Sequence, residues 1–332
     1  MHVISRRCPI ATTIATAMLM LAVLSGCATH TADATPPAGE STASASSWPR
    51  VVDVDGQKIT IKAQPRKIVA ITSETADLAL QLAGPSRLAA IPASSQLPVM
   101  GTAVELARQV PNTLPTGTDP DPEKVLSYGP DLVVSTLRHD GEKNASRQIQ
   151  ASGVPVVSLS DSDFTTPEKL AHVIDILGQV LGEQDRAAQL STELMDSVKS
   201  VDADRGTAHP TALSLMARGN TVMAFDDSQM LPGLVRRAGA TNAGASVGLT
   251  QTRPVDAELV AKANPQVIFL EDFMGQGRKP FAALLASPVL ASVPAIANAH
   301  VYLIPMTQAS AVSGTQTAVG YRAIVDDLKK VS

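Results

Sequence analysis

Aromatic side chains are scarce in this chain. Five Phe, three Tyr and one Trp make up 3% of 332 residues. Leu, Val, Ile, Ala and Met must therefore fill whatever core forms. Cysteine is scarcer still: Cys8 and Cys27 alone cannot make a disulfide scaffold. No long run of Lys or Arg occurs, and the formal net charge is −4. That argues against a nucleic-acid partner, which needs a basic footprint. The motifs H-E-x-x-H and the P-loop are missing, so the chain is not read as an enzyme. The six His are scattered, and no two have metal-ligand spacing. What is present is a 44% apolar, 17% charged composition, ordinary for a globular protein and long enough for two lobes.

The N-terminus reads as an address. Arg6 and Arg7 precede a charge-free apolar stretch from Ala11 to Leu24. Its roughly 14 residues fall short of the roughly 20 needed for a spanning helix but suit a secretory signal. Leu24-Ser25-Gly26-Cys27 resembles the bacterial lipobox, which implies signal cleavage after residue 26 and lipidation of Cys27. Loss of Arg6 and Arg7, with no acidic residue beside them, shifts the formal charge from −4 to −6. Residues 27–48, rich in Ala, Ser, Thr and Pro, read as a flexible tether reaching roughly 25 Å.

The folded part repeats its punctuation. Asp55-Gly56 between two apolar–polar alternations predicts a hairpin. Short strands are expected at 67–71, 87–91, 132–135 and 154–159, with helices at 75–83 and 141–152, and this alternation implies a parallel sheet. Asp121-Pro122-Glu123 is a helix start, with an N-cap, Pro at the first helical position and a carboxylate in the first turn. Gly129-Pro130 ends that helix before an apolar strand. The segment from Asp256 to Phe269 has the same grammar: an acidic cap two residues before Glu258, and Pro265 seven residues after it. Two matching units 135 residues apart suggest two similar lobes. Between them, Thr166-Pro167-Glu168 starts one helix, and Glu183 to Asp204 forms a second without Gly or Pro. That second helix carries Leu190, Leu194 and Val198 as one apolar stripe. The expected architecture is α/β: two Rossmann-like lobes, 49–182 and 206–332, joined by a single long connecting helix at 183–205.

These features together resemble the class III (cluster A) substrate-binding proteins of ABC importers, which take up ferric siderophores, haem or vitamin B12. The resemblance rests on the lipobox, on Lys67 to Ile71 followed by Asp77 and Leu82, on Glu123 to Val134, on Glu258 to Ile268, and on Leu285 to Tyr302. It implies a lipid-anchored monomer outside the cytoplasmic membrane, with no intrinsic cofactor. Such a protein captures an iron complex, a ferric siderophore or haem, and delivers it to an ABC importer permease. A cobalamin receptor of the same family and a sensory lipoprotein are the alternatives. The resemblance also implies that Glu123 and Glu258, one per lobe, dock on permease arginines.

Ligands of open α/β sheets lie beyond the carboxyl ends of the strands. This selects Arg138, His139 and Phe164 in the first half, and Arg218, Arg253, Phe273 and Arg278 in the second. Arginine is the bidentate partner for an anionic ferric complex or a haem propionate. His139 is a candidate haem ligand, with Met274 behind it. Nine aromatics divided over two lobes favour a polar ferric complex over B12.

Overall fold

The computed structural model describes residues 48–331. The lipidation candidate Cys27 lies outside the described residues, as does the tether apart from Trp48. Among the described residues, no helix is long and apolar enough to cross a membrane.

The chain opens with the expected hairpin, β1 (Arg50–Val54) and β2 (Gln57–Ile61), paired antiparallel. Its turn works because Asp55 and Gly56 both take positive φ, 52° and 82°, and Asp53 Oδ1 accepts the Gly56 N–H. The first αβ series follows: β3 (Ile68–Ala70), α1 (Ser73–Ala83), β4 (Leu88–Pro92), α2 (Val104–Ala107), β5 (Thr113–Leu114), α3 (Pro122–Ser127), β6 (Leu132–Thr136), α4 (Asp140–Ala151) and β7 (Val156–Leu159). These strands form one wholly parallel sheet in the order β5-β4-β3-β6-β7. All of β6 is buried, as the continuous apolar run of a sheet covered on both faces requires.

Two helices come next, α5 (Pro167–Leu181) and α6 (Gln184–Asp202). Thr166 caps the first by accepting the Lys169 N–H, and Gly182 ends it in the left-handed conformation at φ 75°. Gly178 lets the two helices approach closely: a Cβ there would lie 2.3 Å from that of Ala187. At 1.5 Å per residue the 19 residues of α6 span about 28 Å.

The second series is β8 (Thr211–Arg218), β9 (Thr221–Ala224), α7 (Met230–Arg237), β10 (Thr241–Asn242), β11 (Arg253–Pro254), α8 (Ala257–Ala263), β12 (Val267–Asp272), α9 (Ala282–Leu285), α10 (Pro294–Ala297), β13 (Val301–Pro305), α11 (Met306–Ala309) and α12 (Thr317–Leu328). Its sheet runs β11-β9-β8-β12-β13, with β10 beside β8. Unlike the first sheet it is mixed: β9 pairs antiparallel with β8 and β11 with β9. The reason is local. Only Gly219 and Asn220 separate β8 from β9, so the chain must fold back as a hairpin, whereas a parallel pair needs a crossover.

An ion-pair cluster fastens α5 and α6 to helices α7 and α12 of the second half. Arg237 on α7 donates to Asp202 of α6 at 3.0 and 2.6 Å and pairs with Glu168 of α5. The buried Tyr321 of α12 donates its hydroxyl to the same Asp202 at 2.7 Å. The two halves also touch directly, through the Thr315 hydroxyl and Gln81 of α1 at 2.9 Å.

Candidate functional site

One large cleft, about 700 Å³, lies between the two sheets and is lined from both halves. It gathers the carboxyl ends of β3, β6, β7, β8, β12 and β13, where an open α/β sheet presents its binding loops. The volume falls within the range of small-molecule sites.

The first half contributes a tight polar turn. Arg138 and His139 follow β6 directly. The buried Glu142, in the first turn of α4, accepts from the Thr136 hydroxyl at 2.8 Å and from the N–H groups of Arg138 at 2.9 Å and His139 at 3.3 Å. That carboxylate fixes the turn and so aims the Arg138 side chain. The guanidinium then pairs with the buried Glu74 of α1 and, at 2.8 Å, with Asp161 after β7. Burial works against its charge, but Glu74 and Asp161 outweigh that and hold its pKa above the usual arginine value.

The second half has its own pair. Arg218, the last residue of β8, donates to Glu271 near the end of the neighbouring β12 at 3.1 Å and to the Ala217 carbonyl at 3.1 Å. Its guanidinium stacks 3.6 Å from the centroid of the Phe273 ring, a cation–π contact. Glu271 is 3% exposed. Burial pushes its pKa up, and Arg218, with the more distant Arg138, offsets this only in part.

Between these ion pairs the lining combines methionines with Ser and Thr hydroxyls and small apolar residues. Met100, Met216, Met223, Met230, Met274 and Met306 all face the cleft. Only one other methionine, Met195, lies among the described residues. Met216 and Met223 sit opposite each other on the β8–β9 hairpin. Met274 takes the left-handed conformation at φ 56°, and its N–H points at the Met306 sulfur at 3.3 Å. Methionine gives polarizable, adaptable apolar surface. Phe225 and Phe273 are the aromatic residues of the lining, with no Tyr or Trp.

Of the residues expected from sequence, the cleft brings together Arg138, His139, Arg218, Phe273 and Met274. Three fall elsewhere. Phe164 is 1% exposed and packs into the core, because the 3₁₀ turn after β7 rotates it inward rather than toward the cleft. Arg253 is exposed on β11, an edge strand held to β9. Arg278 is spent on the Val301 carbonyl at the start of β13. Tyr128 bonds the Thr113 carbonyl and Tyr321 is buried on Asp202, so neither lines the cleft. Apart from Met274, sequence reasoning singled out none of the lining methionines, and it did not pair the carboxylates Glu74, Glu142 and Glu271 with the arginine segments they hold. Glu74, Asp161 and Glu271 do stand at strand ends, where the topological rule points.

Glu123 and Glu258 are both exposed on the first turns of α3 and α8. Asp121 caps α3 by accepting from the Glu123 and Lys124 N–H groups at 2.9 and 3.3 Å. Asp256 caps α8 by accepting from the Leu259 N–H at 2.8 Å. Neither Glu takes part in an ion pair among the described residues.

A cleft between two α/β sheets at their carboxyl ends, with an extended helix between them in sequence, is the architecture of a two-lobed binding protein. The family model described as periplasmic binding protein matches residues 68–307, and the chain belongs to that family. A curated relative, the uncharacterized ABC transporter substrate-binding lipoprotein YvrC of Bacillus subtilis (strain 168), is 24% identical over 153 residues. That alignment spans 45% of each chain, less than half of the relative's length. Among solved structures, the periplasmic heme-binding protein RhuT from Roseiflexus sp. RS-1 superposes with a TM-score of 0.68 at 20% identity, covering 80% of this chain and 98% of that one. The periplasmic heme-binding protein BhuT, in complex with two hemes, gives 0.66 at 22% identity, over 80% of this chain and 98% of that one. These likenesses establish the two-lobed fold.

Proposed function

We propose that this chain is an extracytoplasmic substrate-binding lipoprotein. It captures an iron complex, a ferric siderophore or haem, and delivers it to an ABC importer permease without catalysing a reaction. The observation that carries this reading is the cleft of about 700 Å³, lined from both sheets and built on a family-typical scaffold. Haem is the ligand of RhuT and BhuT, which share the fold. In this reading the lobes are 49–182 and 206–332, joined by 183–205, and Cys27 carries the acyl anchor at the end of the 27–48 tether. His139, exposed at the cleft, offers an imidazole to a haem iron. The exposed Glu123 and Glu258 are the permease contacts, one per lobe, so the permease can sense how the lobes are arranged.

Titration of the full chain with haemin, a set of ferric siderophores and cobalamin, followed by ligand absorbance and Trp48 fluorescence, tests the ligand class. Saturable binding of an iron complex is expected; saturable binding of cobalamin alone overturns the reading. The double variant Glu123→Arg/Glu258→Arg is expected to abolish uptake in cells with ligand affinity unchanged. Unaltered uptake rules out the docking role.

A further inference from the structure

This inference deepens the iron-complex reading and rests on it. Four carboxyl groups, those of Glu74, Glu142, Asp161 and Glu271, line the cleft against the guanidiniums of Arg138 and Arg218. The net charge of the lining is therefore negative. It stays negative even when Glu271 holds a proton.

Neither guanidinium waits for an anion. Arg138 lies between Glu74 and Asp161, and Arg218 is held by Glu271 at 3.1 Å and stacked on Phe273 at 3.6 Å. An incoming carboxylate or catecholate must displace one of these partners or share a guanidinium with it. Displacing Glu271 leaves a carboxylate that is 3% exposed without its counter-ion, which is costly. Glu142 is also committed, to three donors that fix the turn. The remaining lining is mostly methionine, other apolar residues and Ser and Thr hydroxyls, which contact a ligand body but carry no cation to neutralise an anion.

We infer that the cleft selects against negative charge, so that its ligand is a bulky iron complex of neutral or positive net charge, with Glu74, Asp161 and Glu271 as the specificity-determining residues. A negative lining in a partly desolvated cleft repels an anionic ligand and favours a cationic one. This reverses the role expected for the two arginines from sequence. They balance buried acids and leave the pocket's sign to the carboxylates.

Two matched ligand series test this on the full chain. The first is a ferric trihydroxamate with one pendant amine, used as the ammonium, the acetylated neutral form and the succinylated anion. The second is haemin against its dimethyl ester. In whichever series binds, affinity should fall about tenfold for each step toward negative charge, which corresponds to about 1.4 kcal/mol. Asp161 is half-exposed, and Asp161→Asn, with folding checked by circular dichroism, should weaken that discrimination severalfold. Equal or tighter binding of the anionic member, with the neutral one bound as well, overturns charge selection and leaves the iron-complex reading standing. Failure of both series to bind overturns the iron-complex reading and this inference with it.

Discussion

The two halves of the molecule bury a carboxylic acid in different ways. In the first, Asp77 of α1 is 1% exposed, and the charged group that acts on it is the carboxylate of Glu74. One oxygen accepts from the Thr102 N–H at 2.6 Å and the Thr102 hydroxyl at 3.0 Å, and the other has no partner. Burial pushes its pKa up to about 7, against the pull of the Thr102 donors. In the second, Glu271 is buried to a similar degree but has a guanidinium at 3.1 Å. Desolvation penalises the charged form of both; a hydrogen bond from neutral donors reduces that penalty, and a counter-ion reduces it more. Asp77 thus stores a proton away from the cleft, whereas Glu271, like Glu74 with Arg138 in the first half, forms an ion pair at the ligand's doorstep.

The largest way to break this contrast is Asp77→Asn. Between about pH 4, where the unfolded chain releases the Asp77 proton, and about pH 7, where the folded one does, the native state holds more protons. Stability from this group therefore falls as pH rises through that window and is level above it. The shift sets an upper bound of about 4 kcal/mol on the change. Denaturant titrations at pH 4, 5.5 and 7.5 should show this slope in the wild type and lose it in Asp77→Asn. Equal slopes would mean that Asp77 is ionised when folded.

Next is Arg218→Met, which leaves Glu271 buried without its cation. Breaking a fully buried pair costs about 3–5 kcal/mol, and because Arg218 is half-exposed a loss of about 2 kcal/mol is expected at pH 8. The loss should shrink on acidification, since the orphaned carboxyl then takes up a proton. A loss that does not change with pH would place the stabilisation in the Phe273 stacking and not in the ion pair.

The smallest effects concern the matched caps. Asp121→Ala and Asp256→Ala should each cost about 1 kcal/mol in chemical denaturation. Asp121 should cost the more, because it accepts two N–H groups where Asp256 accepts one. The reverse order would separate the two units that the sequence makes look alike.

Those caps show what kind of feature sequence reveals well. The Asp55-Gly56 hairpin, the Asp121 and Asp256 starts and the Gly182 stop all appear where the residues predict them. Each is set by hydrogen bonds and torsions within a few residues. The strand ends were equally legible, and with them the loops that meet at the cleft. The lining was less so. Phe164 and Arg138 both follow strands of the first sheet, yet one turns into the core and the other into the cleft. The difference comes from the 3₁₀ turn in one case and the Glu142 bonds in the other. The charge partners were hidden for a different reason: Glu74 and Arg138 are 64 residues apart, and Arg218 and Glu271 are 53 apart.

The sequence by itself determined the α/β alternation, the duplicated helix–Pro–strand unit and the exposed first-turn carboxylates, because period, cap and turn chemistry are local. Only the tertiary structure decided the sign and texture of the pocket. Packing two sheets end to end placed six methionines around one space and gave each cleft arginine an acid that lies far from it in the chain. The scarcity of aromatics favours a polar ferric complex over B12. The fold sets six methionines beside seven Ser and Thr residues in the cleft lining and pairs both arginines with its own carboxylates, since a cation in a partly dry cleft takes a counter-ion from whichever strand end lies within reach.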